Sequence, residues 1–157
     1  MTDTISDAAR EIGDRVETFV RQEITPYEKD PRAGSHGPTE ELVREMRDRA
    51  IKAGVMTPHI RNDGGHYSQV ETAYILKKSG LSPLGPVACN TMAPDEGNMF
   101  LLGKAGSEEQ KARFLAPLVS GDSRSAFFMT EPSADGGAGS DPSMMQTEAK
   151  LDGNHWV

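Results

Sequence analysis

The stretch SAFFMTEPSADGGAGSDP, Ser125–Pro142, separates two kinds of sequence pattern. An apolar run, Ala126-Phe127-Phe128-Met129, enters a Thr130-Glu131-Pro132 step, and a glycine-rich loop follows. The run is short and apolar, which predicts a strand. Beyond the loop, Met145, Thr147, Ala149 and Leu151 alternate with Gln146, Glu148 and Lys150. Alternation of this kind predicts a second strand with one buried face. Asp152-Gly153 is a hairpin-type turn signal, and Asn154-His155-Trp156-Val157 begins a return strand. The expectation is a sheet that starts at residue 123 and stops before it is finished, so the chain reads as truncated.

Upstream of Ser125 the period is helical. Ile5, Ala8, Ala9, Ile12, Val16, Phe19 and Val20 share one face, with charged residues on the other. This predicts an amphipathic helix that fades near Pro26, which has no N–H to donate. Residues 26–38, rich in Pro, Gly and mixed charge, read as a linker. Thr39 is a candidate N-cap, with Leu42, Val43, Met46, Ala50 and Ala53 as the buried stripe and Gly54 as the stop. After a loop over residues 56–68, Ser68 and Glu71 fit a capping box, and Val70, Ala73, Tyr74 and Leu76 are the expected apolar positions. Residues 82–106 read as a buried helical region interrupted at Ala93-Pro94. Ser107 and Gln110 form a second capping-box candidate, with Phe114, Leu115 and Leu118 on the apolar side and Gly121-Asp122 as the end. The fold class is therefore mainly α: an antiparallel helical bundle over residues 1–122, then the first strands of a β-barrel domain over 123–157.

Composition narrows the function classes. Charged residues make up 26% and hydrophobic residues 36%, so a packed core is within reach. The net charge of −7 and the absence of a dense basic run argue against nucleic-acid binding. A single cysteine, Cys89, excludes an intramolecular disulfide. The first residues carry acids and no apolar core of a secretory signal, and no run is long enough to span a bilayer. These features lead to the expectation of a soluble, cytoplasmic protein.

Three chemistries compete for the glycine-rich loop. A phosphate-binding P-loop needs Gly-Lys-Ser/Thr at its end, but Gly139 is followed by Ser140-Asp141. A dinucleotide fingerprint needs a third glycine where Pro142 stands, and a helix where the sequence alternates like a strand. The third reading comes from several motifs in order. FFMTEPSADGGAGSDPSMMQTEA, preceded by APDEGNMFLLGKAG and GSEEQKARFLAPLVSGD and followed by AKLDGNHWV, resembles the acyl-CoA dehydrogenase family. The likeness is specific from Pro83 to Val157 and general over the helical first half. Residues Ser133–Gly137 make the loop longer than the family's usual form, so matching Ser140 to the family serine assumes an insertion.

The resemblance implies a flavoprotein that binds FAD, with a helical domain, a middle β-barrel and a C-terminal bundle, assembled as a homo-oligomer (tetramer or dimer). It implies α,β-dehydrogenation of an acyl-CoA: a proton leaves the α-carbon and the β-hydrogen leaves as hydride to the flavin. Electrons would pass to electron-transfer flavoprotein or a similar acceptor. Carried onto this sequence, Met129 and Thr130 would meet the flavin pyrimidine edge and Phe127 would lie near flavin and thioester. Ser140 would touch the pantetheine-phosphate arm, and a buried helix around Asn90, Thr91 and Met92 would shape the acyl cavity. No catalytic residue is assigned, because the family's carboxylate base lies in its C-terminal half. An acyl-CoA oxidase-type activity and a non-catalytic partner subunit are the rival readings.

The plainer readings stand beside these. Glu131, in a Glu-Pro turn, reads as a structural hydrogen-bonding residue. His36, His59, His66 and His155 lack metal-ligand spacing and read as surface or loop histidines, so no metal is expected. Cys89 reads as a small buried hydrophobe and the methionines as core filler. Phe127 and Phe128 are equally well explained as core.

Overall fold

The computed structural model describes residues 4–61, 64–132 and 137–157. It is mainly helical and divides into two compact units, one ending at Ser125 and one running from Ala126 to Val157.

In the first unit, helix α1 (Asp7–Phe19) starts where the Ser6 hydroxyl accepts the Ala9 N–H, and buries Ala9, Val16 and Phe19. The chain does not fade at Pro26. It continues as a wide π turn, Val20–Ile24, and a tight 3-10 turn, Thr25–Lys29, with the Thr25 hydroxyl donating to the Val20 carbonyl at 3.0 Å. A proline ring collides with the carbonyl one regular turn back, and the change of pitch ahead of Pro26 avoids that collision. The expected linker is also ordered. The Tyr27 hydroxyl bonds Glu45, Arg32 pairs with Asp30 at 2.7 Å and with Glu45 at 3.0 Å, and Tyr27 and Ala33 pack on the core.

Helix α2 (Glu40–Ala53) has the predicted ends. Thr39 accepts the Leu42 N–H at 3.3 Å, and Gly54 closes the helix at φ +64°, a conformation that favours glycine. Leu42, Val43, Met46 and Ala50 are its buried face. Helix α3 (Gln69–Ser79) has both halves of the predicted capping box between Ser68 and Glu71. Glu71 also accepts the Ser6 N–H at 3.2 Å, so one carboxylate caps two helices, and these bonds hold it down at about 2. The buried face of α3 differs from expectation. Ile75 and Ser79 point inward, while Val70 is 42% exposed and Ala73 is exposed. The rotation follows from the partner: Tyr74 lies over Gly13 of α1, so close that a Cβ there would stand 2.5 Å from its ring, and Lys78 pairs with Glu17.

Helix α4 (Gly85–Ala88) crosses the end of α3 at backbone distance. A Cβ at Gly85 would sit 1.9 Å from the Ser79 carbonyl oxygen. The expected interruption is present, with a cis Ala93–Pro94 bond before α5 (Asp95–Ala105). The second predicted box, Ser107 with Gln110, opens α6 (Glu108–Gln110), which runs through a π turn, Lys111–Leu115, into α7 (Ala116–Ser120). Gly121 ends α7 at φ +81°. The core joins Val16, Phe19, Val20 and Ile24 to Leu42, Met46, Val55, Ile75 and Cys89.

In the second unit the expected strands at Ala126–Met129 and across Met145–Lys150 are irregular chain. Among the described residues of this unit, β1 (Leu151–Asp152) and β2 (His155–Trp156) alone pair, antiparallel, with Leu151 opposite Trp156 and Asp152 opposite His155. Reciprocal Lys150–Val157 backbone bonds of 2.9 Å extend the pair, and the turn is Gly153-Asn154, with Gly153 at φ +60°. Strand-forming side chains need a face to bury and neighbours for their backbone groups. Phe128 is 95% exposed, and both faces of the hairpin are exposed.

Candidate functional site

The predicted site residues fall into two groups, one in each unit. In the first unit, Asn90 occupies a turn after α4 rather than a helix, at φ +54° and 2% exposed. Its Oδ1 accepts Arg47 Nη2 at 3.1 Å, and its Nδ2 donates to Thr57 Oγ1 at 3.1 Å and to the Leu118 carbonyl at 2.8 Å. Thr57, also left-handed at φ +50°, donates to the Val119 carbonyl at 2.6 Å and takes the Cys89 carbonyl through its N–H at 2.9 Å. Arg47 reaches the Val87 and Gly121 carbonyls at 3.3 and 2.9 Å, and burial lowers its pKa. These three side chains knot α2, the loop after it, the α4 turn and the end of α7. The turn that carries Thr91 and Met92 is thereby held from behind. Thr91 is buried, its hydroxyl 2.8 Å from that of Ser79, and Met92 is exposed.

Three residues on from Met92, buried Asp95 accepts both the N–H and the hydroxyl of Ser125 at 2.6 Å, and Asn98 Nδ2 donates to the same hydroxyl at 2.8 Å. Sequence reasoning missed Asp95, Asn98, Arg47 and Thr57. Only the acid in the first turn of a helix was a visible signal. An apolar groove of about 590 Å³ lies between Leu101, Leu102, Phe114, Pro117 and Leu118, and does not include Asn90, Thr91 or Met92.

In the second unit, Phe127 and Met129 are exposed, and so is Thr130. Among the described residues no hydrogen bond engages the backbone or side chain of these three. Ser140 is exposed in a turn behind Gly139, which stands at φ +58°. Of the expected loop extension, Ser133–Gly137, residues 133–136 lie outside the described residues. Glu131 is the centre of the unit. Its carboxylate accepts the Gln146 N–H at 2.9 Å, the N–H and hydroxyl of Thr147, and the Ala138 N–H at 3.3 Å. The Thr147 hydroxyl and these backbone donors hold it down at about 2. A carboxylate occupied by four donors has no lone pair free to take a proton from a ligand, as its structural reading requires.

His59 departs from expectation. It lies in a loop but is 1% exposed, and among the described residues neither ring nitrogen has a hydrogen-bond partner. Burial, with the neighbouring His66 adding to it, pushes its pKa down to about 4. Beside it an Ile60–His66 bridge forms, and the His66 ring stands edge-on to Phe100, 5.4 Å between centroids. Cys89 is buried as expected, its thiol pushed up to about 12 by desolvation. Among the described residues no group of three His, Cys, Asp or Glu side chains could hold a metal, and no helix is long and apolar enough to cross a membrane.

Comparison with known proteins gives one consistent family. The model described as "Acyl-CoA dehydrogenase, N-terminal domain" matches residues 6–122. Acyl-CoA dehydrogenase family member 11 of Gallus gallus is 34% identical over 91% of this chain, and family member 10 of Mus musculus is 31% identical over 98%. This chain spans 19% and 15% of their respective lengths. A solved structure from Mycobacterium abscessus, described as a candidate acyl-CoA dehydrogenase, superposes with a TM-score of 0.76 at 32% identity, over 98% of this chain and 41% of its own.

Proposed function

This chain belongs to the acyl-CoA dehydrogenase family, and we propose that it forms the N-terminal part of an FAD-dependent enzyme that dehydrogenates an acyl-CoA between its α and β carbons. The observation that carries this reading is the open strip Phe127–Thr130. It offers an aromatic ring, a thioether and uncommitted backbone and hydroxyl groups side by side. A flat heteroaromatic ring needs that combination: apolar contact on its face and hydrogen bonds along its edge. FAD supplies the two-electron acceptor when bound.

The residues of this chain bind and orient. Met129 and Thr130 meet the pyrimidine edge of the flavin, and Phe127 covers the region of the thioester. Ser140 takes the pantetheine-phosphate arm through its exposed hydroxyl. Thr91 and Met92 border the acyl group from a turn whose position the Asn90 knot sets. The electrons pass on to electron-transfer flavoprotein or a similar acceptor, and the enzyme works as a homo-oligomer.

Thr130→Val tests the flavin contact in the flavin-loaded enzyme that carries this sequence. It removes one hydroxyl bond, worth about 0.5–1.5 kcal/mol, so FAD retention should fall several-fold with helical content unchanged. Equal FAD content in variant and parent would rule the contact out.

The 157-residue chain itself should show no turnover, because the carboxylate beside the strip, Glu131, is committed to four internal donors. General-base catalysis contributes about 10²–10⁴ in rate. Mixing the chain with FAD, acyl-CoAs of several lengths and an electron-accepting dye should reduce no dye above the protein-free blank. Clear reduction would mean that a base is assembled here.

A further inference from the structure

Beyond the contacts proposed above, and resting on that reading, we propose that Glu131 is a positioning residue: its side chain fixes the Ser140 turn relative to Thr130 and so couples CoA-arm recognition to the flavin edge. Three observations in the second unit carry this. The Glu131 N–H donates to the Gly139 carbonyl at 3.1 Å, immediately before Ser140. The Asp141 N–H donates to the Ala138 carbonyl at 3.0 Å, immediately after it, and the Ala138 N–H in turn donates to the Glu131 carboxylate at 3.3 Å. Ser140 is therefore bracketed by two backbone bonds, one made by Glu131 itself and one by a residue that Glu131 holds. The remaining carboxylate bonds, to Gln146 and Thr147, tie in the chain beyond the turn.

Among the described residues around the turn the regular structure is one short 3-10 turn, Pro142–Met144, which Asp141 caps, and no strand ladder supports it. Residues 126–132 and 145–150 are irregular, and the two-residue strands begin only at Leu151. A loop without a ladder has many conformations of similar energy, and ordering it costs conformational entropy. One ionised carboxylate accepting several donors offsets that cost, because bonds to a charged acceptor are roughly twice as strong as neutral ones. Thr130 adjoins Glu131 in sequence, so the strip and the turn share one fixed point. A glutamine at 131 has nearly the same shape but brings one neutral acceptor and a donor that faces other donors.

The test is E131Q in two settings. In the 157-residue chain, amide hydrogen exchange at Ala138, Gln146 and Thr147 should speed up about tenfold, the loss of roughly one bond to a charged acceptor, with α1–α5 amides unchanged. In the flavin-loaded enzyme that carries this sequence, KM for an acyl-CoA should rise about tenfold with kcat within about twofold. KM for the same acyl group on N-acetylcysteamine, which lacks the pantothenate-phosphate arm and the nucleotide of CoA, should not move. A residue with a merely structural role would impair both thioesters alike, and that result overturns the proposal, as does unchanged exchange at the three amides. If the unsubstituted enzyme carries no flavin and turns over no acyl-CoA, the functional reading fails first and the coupling fails with it.

Discussion

Asn90→Leu should lower the unfolding free energy of the helical unit by about 4 kcal/mol and its thermal midpoint by more than about 10 °C. Leucine has the same number of side-chain heavy atoms and the same branching as asparagine, so no cavity opens, and the loss comes mainly from bonding and backbone, with the bulk of the two methyl groups adding to it at this buried site. Three bonds vanish at once. The Leu118 carbonyl and the Thr57 hydroxyl lose a donor, and the half-buried Arg47 loses its only side-chain acceptor in the knot. Each partner keeps another bond, Leu118 from the Gly121 N–H, Thr57 to the Val119 carbonyl and Arg47 to the Val87 and Gly121 carbonyls, so the cost is that of three lost bonds at about 0.5–1.5 kcal/mol each. The left-handed backbone at φ +54° adds to this, since asparagine tolerates it and leucine loses about 1–2 kcal/mol there. Asn90→Gly separates the two causes: it removes the bonds but suits the backbone, and should be the less damaging change by about 1 kcal/mol. Urea denaturation followed by far-UV circular dichroism reads both. A leucine variant that unfolds at the parent's midpoint would show that the knot holds nothing.

Acidification from pH 7 to pH 5 should cost the fold about 2 kcal/mol through His59 alone, out of about 3 kcal/mol available from this group. The folded state holds His59 near 4, and the unfolded chain returns it to the ordinary 6.5. Below about 6.5 the unfolded state therefore binds a proton that the folded state refuses. Stability is full above that pH, falls as the pH drops toward 4, and levels off once both states are charged. His66, lowered in the same direction by burial, adds to the slope. The depressed carboxylates, Glu71 and Glu131 at about 2 and Glu17, Asp30, Glu45 and Asp141 lowered in the same direction, lose their contribution from the ordinary carboxylate range downward, so most of their effect falls below pH 5. Urea midpoints of the parent and His59→Leu at pH 7 and pH 5 isolate the effect. The variant should lose most of the difference between the two pH values. An equal slope in both proteins would place the acid sensitivity elsewhere.

Helix ends were legible in the sequence because capping is local. Thr39, Ser68 and Ser107 bond donors three residues on, and Gly54 and Gly121 meet their own helices, so spacing and residue type suffice. The family was legible for a similar reason: motif order survives without coordinates. What could not be read was anything set by a distant partner. The inward face of α3 depends on Tyr74 meeting Gly13, some sixty positions away. The burial of His59 and the contact of His66 with Phe100 of α5 are tertiary outcomes that loop composition does not encode. Asn90, expected on a helix that shapes a cavity, turned out to spend its polar atoms on residues of α2, α7 and the loop between α2 and α3. The alternating pattern at 145–151 did not become a strand before Leu151, because alternation states which face could be buried, not that a neighbour is there to bury it. Sequence by itself determined the capped helix ends at Thr39, Gly54, Ser68, Ser107 and Gly121 and which family this chain joins, through interactions a few residues long. Tertiary structure alone decided which faces turn inward and which polar groups are consumed, because those depend on partners that only the folded chain brings within bonding distance.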